Sequence, residues 1–223
     1  MVYQPGHGKF AVSDPAALLV ELCRDVPATL VTHTAEGFRA TILPMLFDPD
    51  DGPYGTLRGH WARGNPQWRD VGETTHGLAM FDGPDAYVSP AWYPEKRVSG
   101  KVVPTWNYEV LNVYGRLLVH DDPDWVLDLV TELTNQHEAG RSEPWQVTDA
   151  PESYTQSQLR GIVGVEVDIA KVEGKSKMSQ NQPDRNRAGV VAGLRESDAP
   201  RDQLVADRVA ALDDGSTKAN GRR

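Results

Sequence analysis

Three polar and aromatic strings carry the residues of this sequence that are best suited to binding chemistry. They are TLRGHWARGNPQW at 56–68, VPTWNY at 103–108 and GKSKMSQN at 174–181. Each begins where a strand pattern runs, and each has cations, amides or tryptophans that the wall of a sheet does not need. Together they predict a site for a flat, anionic, aromatic ligand such as a flavin or a porphyrin.

The first string leads from a strand into a predicted short helix over 66–71. Asn65 is suited to the N-cap of that helix and Pro66 to its first position. The N-terminus of the helix and Arg63 could then hold a phosphate or carboxylate. In the alternative interpretation, Arg63 extends into solvent and His60 donates to a backbone carbonyl.

The third string places Lys175, Lys177 and Ser179 on one side of an extended segment, with Gln180 following. Two ammonium groups and a hydroxyl on one face could neutralise a phosphate or bind the polar edge of a heterocycle. The alternative is a solvated edge strand whose lysines oppose aggregation.

The second string alternates in the same way. It puts Trp106 and Tyr108 on one face of a strand and Asn107 on the other. A tryptophan can form a wall for a planar ring, although aromatic residues more often pack in a core.

Candidates for direct catalysis are few. The sequence has no GxSxG, HExxH or GxxxxGK[ST] motif. His137 and Glu138 lack a second histidine at metal-ligating spacing and are interpreted as helix surface. No catalytic residue is therefore assigned and no metal is expected, so any chemistry would belong to a bound cofactor.

Composition narrows the class of protein. The chain has 223 residues, 39% hydrophobic and 25% charged, as in an ordinary globular protein. Its net charge of −9 opposes binding to nucleic acid. Cys23 is the only cysteine, which excludes an intrachain disulfide. The first residues lack the apolar region of a signal peptide and no run is long enough to span a membrane, so we expect a cytoplasmic protein.

Periodicity predicts many strands with helices between and outside them. The predicted helices, the first capped by Ser13, cover 14–24, 66–71, 123–139, 152–160 and 204–212. The predicted strands cover 28–34, 38–47, 55–62, 77–82, 85–89, 105–120 and 161–174. This pattern favours an α+β fold built on a β-barrel, with an open antiparallel sheet as the alternative. We expect one domain over 1–195, then a polar C-terminal surface helix and tail over 196–223, disordered in its last residues, 213–223.

Taken in order, these strings resemble the PaiB-like family, described as FMN-binding negative transcriptional regulators. The resemblance runs from Tyr3 to about Leu194 and also includes FDGPDAYVSPAWYP at 81–94 and LTNQHEAGRSEPW at 133–145. It implies a flavin-binding split β-barrel, related to pyridoxamine phosphate oxidases and flavin reductases, with peripheral helices. It also implies a homodimer with cofactor sites at the subunit interface.

The resemblance implies roles for particular residues. The FMN phosphate and ribityl chain would be held by one group: Thr41, Ile42, Leu43, His60, Arg63 and Asn65. The ring system would be approached by another: Trp106, Asn107, Lys175, Lys177, Ser179 and Gln180. Relatives usually have a histidine within 40–44, where this chain has ATILP. Ile42 can neither donate a hydrogen bond nor ligate a metal.

Four functions follow as hypotheses. The first is an FMN-binding redox enzyme, flavin sensor or regulator. The second is a haem b enzyme, since one branch of the family uses haem to cyclise hydroxylated ornithine to piperazate, and His60 would then ligate the iron. The third is a DNA-binding repressor, which the charge balance opposes. The fourth is a barrel without cofactor that serves as an interaction module. A small-molecule substrate is compatible with the first two.

Overall fold

The structure is a computed structural model that describes Tyr3 and residues 8–219, with side chains described as far as Leu212. Helices in this part of the chain are α1 (Pro15–Asp25), α2 (Glu95–Val98), α3 (Pro123–Glu138), α4 (Glu152–Leu159), α5 (Asp184–Arg195) and α6 (Pro200–Ala219). Strands are β1 (Ala28–Thr34), β2 (Gly37–Leu43), β3 (Leu46–Asp48), β4 (Thr56–Ala62), β5 (His76–Val88), β6 (Thr105–His120) and β7 (Ile162–Lys177).

These strands form one seven-stranded sheet in the order β2-β1-β5-β6-β7-β4-β3. The β1–β2 hairpin is antiparallel and closes where Thr34 lies opposite Gly37. Gly37 has a φ of 117°, a backbone conformation that favours glycine. The pairs β1–β5, β3–β4 and β4–β7 are antiparallel as well.

The chain divides into two compact units, which we describe separately. Unit 1 comprises 1–13, 83–110 and 174–223, and unit 2 comprises 14–82 and 111–173. None of the described helices is both long enough and apolar enough to cross a membrane.

Unit 2 has its core under α1 and α3. Leu129 and Leu133 of α3 are buried against Leu46, and Trp125 packs beside them. Helix α1 buries Leu18, Leu19, Leu22 and Cys23. Burial raises the pKa of the Cys23 thiol to about 12, so the thiol stays protonated and unreactive at neutral pH.

Unit 1 has its core under α5 and α6. Tyr93, Met178, Val190 and Leu194 are buried there together with three residues of α6. Those three are Val205, Ala206 and Val209. The helix predicted over 204–212 is therefore longer than expected and buries one face, which corrects its description as a surface helix.

Several predicted elements need further correction. Asp14, not Ser13, caps α1, because its carboxylate accepts a hydrogen bond of 3.0 Å from the N–H of Ala17. The helix expected over 66–71 is a 3-10 turn at Pro66–Asp70. The two strands expected over 77–82 and 85–89 form one continuous strand, β5.

Two expectations concern the C-terminal end of the chain. The boundary placed between 195 and 196 stays a prediction. Of the end expected to be disordered, residues 220–223 and the side chains from 213 onwards lie outside the described residues.

Candidate functional site

Unit 1 brings together two lysines and two aromatic rings. Lys175 and Lys177 lie on the same face of β7, and Trp106 and Tyr108 alternate with Asn107 on β6. Lys177 Nζ donates to the carbonyl of Trp106 at 2.7 Å and to the hydroxyl of Thr105. Lys175 Nζ lies 5.3 Å from the ring centroid of Tyr108. We call Lys175, Lys177, Trp106 and Tyr108 the lysine–aromatic cluster.

The cluster carries concentrated positive charge. Lys175 is only 8% exposed, and Tyr3 offers it a second ring at 5.6 Å. The pKa of Lys177 is lowered mainly by desolvation and secondly by the positive charge of Lys175. Within the described part of the chain neither lysine forms an ion pair with a carboxylate. Two close ammonium groups without a counter-charge are suited to an anionic ligand.

A flat aromatic surface adjoins these lysines. The Trp106 side chain is half-exposed, and its ring meets Tyr87 edge-on, with centroids 6.2 Å apart. Because about half of Trp106 is exposed, part of its indole is accessible to a planar ligand that binds near the ammonium groups.

Asn107 and Ser179 form a separate, buried pair in unit 1. The amide of Asn107 donates to the Ser179 hydroxyl at 3.0 Å, and that hydroxyl contacts Asn107 Oδ1 at 3.1 Å. Strand β7 ends at Lys177, and Ser179 has a φ of 62°. The alternation predicted for Lys175, Lys177 and Ser179 therefore stops at Lys177, because the backbone turns there.

Gln180 stabilises this turn. Its side chain accepts a hydrogen bond of 2.6 Å from the N–H of Met178 and donates one of 2.6 Å to the carbonyl of Ser176. Both ends of the Gln180 amide are thus used by the backbone, and Gln180 acts on the cluster through the shape of the turn.

In unit 2, Thr41 and Asn65 meet through a residue that the sequence analysis did not select, Gln67. Asn65 Nδ2 donates to Thr41 Oγ1 at 2.8 Å, and Thr41 Oγ1 donates to Gln67 Oε1 at 2.5 Å. The buried Gln67 amide also donates to the Leu30 carbonyl and to the Thr32 hydroxyl. This network fixes the 3-10 turn to the hairpin. A signal was available in the sequence, since Gln67 follows the N-cap within NPQW.

The residues that follow Thr41 on β2 differ in burial. Leu43 is buried in the core, whereas Ile42 is 68% exposed, because successive side chains of a strand alternate between its faces. The side chain of Ile42 is thus on the face opposite to the Thr41–Asn65–Gln67 network.

Arg63 is held within unit 2. Its guanidinium bonds both carboxylate oxygens of Asp121, with the contact to Oδ2 at 3.0 Å. It also donates to the carbonyls of Arg160 at 2.8 Å and Ile162 at 3.1 Å. The hydrogen bonds from Arg63 to Asp121 hold the pKa of the Asp121 carboxyl below its usual range. Arg63 therefore has a structural task, and its role toward a phosphate stays a prediction.

His60 faces a cavity of about 340 Å³ between β4 and α3, which we call the α3 cavity. Burial lowers the pKa of the His60 imidazole, so the ring is neutral at pH 7. Its Nδ1 is buried and has no hydrogen-bond partner among the described residues. A histidine that ligates a metal usually donates from its other ring nitrogen to a fixed acceptor. His60 does not fit that arrangement, and no three acidic, histidine or cysteine side chains in the described chain converge on a metal position.

Known proteins are similar to this chain in sequence. Residues 3–171 match the family model described as "Putative FMN-binding domain". The chain is 32% identical to the protease synthase and sporulation protein PAI 2 of Bacillus subtilis, over 80% of this chain and 83% of that protein. It is also 32% identical to an uncharacterized protein of Emericella nidulans, over 86% of this chain and 91% of that protein.

Solved structures agree on the fold. The flavocytochrome Anf3 of Azotobacter vinelandii superposes with a TM-score of 0.53 at 11% identity, covering 74% of this chain and 67% of that one. The FAD and heme binding protein of Mycobacterium smegmatis superposes with a TM-score of 0.51 at 18% identity, covering 79% and 77%. The chain therefore belongs to the PaiB-like family of FMN-binding domains and has the α+β fold of a flavin-binding split β-barrel.

Proposed function

We propose that this protein binds FMN through the lysine–aromatic cluster of unit 1 and acts as a flavin-dependent redox protein. The observation that carries the proposal is the pair of ammonium groups, without a carboxylate partner in the described chain, beside the half-exposed ring of Trp106. FMN is both planar and anionic, so these residues fit its two recognition requirements. The flavin, when bound, supplies the electron-transfer chemistry that the side chains of this protein lack.

Each residue of the cluster has a definite binding task. Lys177 is oriented by the Trp106 carbonyl and keeps one N–H free for an acceptor on the ligand. Lys175, enclosed by the rings of Tyr3 and Tyr108, adds charge from a position that is fixed by packing. The open face of Trp106 accepts the ring system by stacking.

The test is a titration of the purified protein with FMN, followed by flavin fluorescence. Lys177→Met removes one charge-assisted hydrogen bond and should weaken binding by about 10- to 100-fold. Lys101→Met, which removes an exposed lysine of unit 1, is the matched control and should bind as the wild type does. Absence of FMN binding in the wild type, or equal effects of both substitutions, would contradict the proposal.

A DNA-binding regulator is the less favoured role. The stretch from 185 to 201 contains four arginines, and each forms an ion pair with an acidic residue of unit 1. The pairs are Arg185–Glu95, Arg187–Asp184, Arg195–Asp207 and Arg201–Asp85. Phosphates would have to displace these carboxylates on a protein of net charge −9. An electrophoretic shift of specific DNA at physiological salt would reverse this ranking.

Haem is not part of the proposal. Nδ1 of His60 has no hydrogen-bond partner in the described part of the chain, whereas an axial histidine is usually oriented by such a bond. Reconstitution with haem should therefore give no Soret shift that depends on His60. A Soret band that disappears in His60→Ala would establish the haem alternative.

We further propose that the protein is a homodimer in which an apolar sheet face of unit 2 contacts a second copy. Strand β2 is an edge strand, and its outward residues Phe38 and Ile42 are 79% and 68% exposed. The β-sheet register continues this face through Val31 of β1 and Leu78 of β5. Exposed contiguous apolar surface of this kind is typical of an interface between proteins.

Light scattering coupled to size exclusion tests the dimer. Ile42→Lys and Phe38→Lys together should convert the dimer to a monomer, because each buries an unpaired charge in the interface. Leu204→Lys, at an exposed leucine of α6, should leave the mass unchanged. A monomeric wild type would refute the dimer without affecting the FMN titration.

A further inference from the structure

We propose that the α3 cavity is a second binding site, which takes a small, uncharged aromatic molecule with one hydrogen-bonding group. The cavity lies within unit 2 and shares no residue with the lysine–aromatic cluster. The proposal therefore stands independently of FMN binding.

The size of the cavity sets the size of its ligand. Its volume of about 340 Å³ is near the lower end of ligand pockets, which run from about 300 to 1,000 Å³. A second cavity of about 180 Å³ adjoins it and shares Val130, Thr134 and Trp145. A ligand of one or two rings matches these dimensions.

The walls select an aromatic ligand. Val130 and Leu133 of α3 line one side, and the ring of Trp145 lines another. Glu138 fixes the Trp145 segment to α3, because its carboxylate accepts a hydrogen bond of 3.1 Å from the N–H of Trp145. The backbone that carries Trp145 is thus held to α3 before any ligand binds, which reduces the entropic cost of binding.

The charged and titratable side chains that line the cavity favour an uncharged ligand. The titratable groups that line it are His60, His137 and Glu138. The Glu138 carboxylate is already paired with Arg141 at 2.8 Å. No lysine or arginine among the described residues lines the cavity, so neither an anionic nor a cationic ligand would find an unpaired counter-charge there. A neutral imidazole can still accept or donate one hydrogen bond, which suits a phenolic O–H or an indole N–H.

The experiment uses phenol and indole as probes and observes the ring nitrogens of His60 and the indole N–H of Trp145 by NMR. Both signals should shift saturably, and benzoate should bind at least about tenfold more weakly than phenol because its charge would be buried without a partner. His60→Phe keeps the ring but removes its hydrogen bond, so phenol affinity should fall by about two- to tenfold. His76→Phe, at an exposed histidine of unit 2, is the matched control.

Thr134→Trp gives a second variant that fills the cavity from α3 and should abolish the shifts of His60. The same titrations are repeated with saturating FMN, which should not compete. Three outcomes would overturn the proposal: no saturable shift with either probe, tighter binding of benzoate than of phenol, or loss of phenol binding when FMN is added.

Discussion

The hydroxyl of Ser179 satisfies the side-chain amide of Asn107 across 72 residues of sequence, at 3.0 Å from Nδ2 and 3.1 Å from Oδ1. Both side chains are buried, and Ser179 adopts a left-handed backbone conformation that serine seldom takes. The end of β7 is thereby fixed to β6 within unit 1.

Ser179→Ala should destabilise the fold by about 1–3 kcal/mol, since it leaves the buried Asn107 amide without this partner. Ser179→Gly loses the same hydrogen bonds but removes the left-handed penalty, so it should be about 1 kcal/mol more stable than the alanine variant. Urea unfolding of the three proteins measures both differences. An alanine variant as stable as the glycine variant would show that residue 179 does not adopt a positive φ in solution.

Asp121→Asn should lower stability at neutral pH, because the bidentate pair with Arg63 is lost. The pKa of Asp121 is lowered in the folded state, so its contribution is present above the unfolded value near 3.8 and disappears as pH falls through the folded pKa. The difference in unfolding free energy between wild type and variant should therefore shrink below pH 3.8. A difference that stays constant down to the lowest accessible pH would exclude this linkage.

Gly164→Ala should destabilise unit 2 by about 1–3 kcal/mol through overpacking. A Cβ there would lie 2.2 Å from the ring of Trp125, which is stacked on His120 with centroids 4.0 Å apart. Thermal unfolding gives the size of the effect. Combining the change with Trp125→Leu should recover part of the loss, and a strictly additive double variant would rule out this contact as the cause.

Lys177 should titrate below the ordinary lysine value of 10.5. Its lowered pKa means that the folded state binds fewer protons, so stability should rise as pH increases through that pKa toward 10.5. Lys175→Met removes the repelling charge and should move the pKa of Lys177 upward. NMR titration of the lysine side chains reports this directly. An unchanged Lys177 pKa would mean that the two ammonium groups do not interact.

Local patterns were sufficient for much of the fold. The β-branched run at 28–34 coincides with β1, and the long run at 105–120 coincides with β6. The alternation of Trp106 and Asn107 was also predicted correctly, with the indole half-exposed and the amide buried. These features depend on the two-residue period of a strand, which is visible in any short window of sequence.

Features that depend on tertiary contacts could not be predicted. Pro84 indicates a break, yet β5 runs through it, and only the alternation of burial slips at Pro84 and Asp85. Helix α5 was missed because Gly189 and Gly193 weaken a helix in isolation. In the structure a Cβ at Gly189 or Gly193 would lie 2.1 or 2.3 Å from Trp92, so both glycines allow a close tertiary contact with that residue.

In the candidate site, too, local patterns could be predicted and tertiary contacts could not. The lysines and Trp106 were selected from residue type and spacing. The partner of Arg63, by contrast, is Asp121, which is 58 residues away in sequence. No local signal connects them, so the sequence could not predict this ion pair, and the role of Arg63 toward a phosphate stays a prediction.

The pleat of β2 also gives adjacent positions different surroundings. Thr41 is held by hydrogen bonds to Asn65 and Gln67, whereas the side chain of Ile42 lies on the exposed face of the strand and makes none of these bonds. Isoleucine in place of histidine at 42 thus makes the exposed face of β2 more hydrophobic. A substitution at 42 therefore alters the outer surface of this strand and leaves the hydrogen bonds of Thr41 in place.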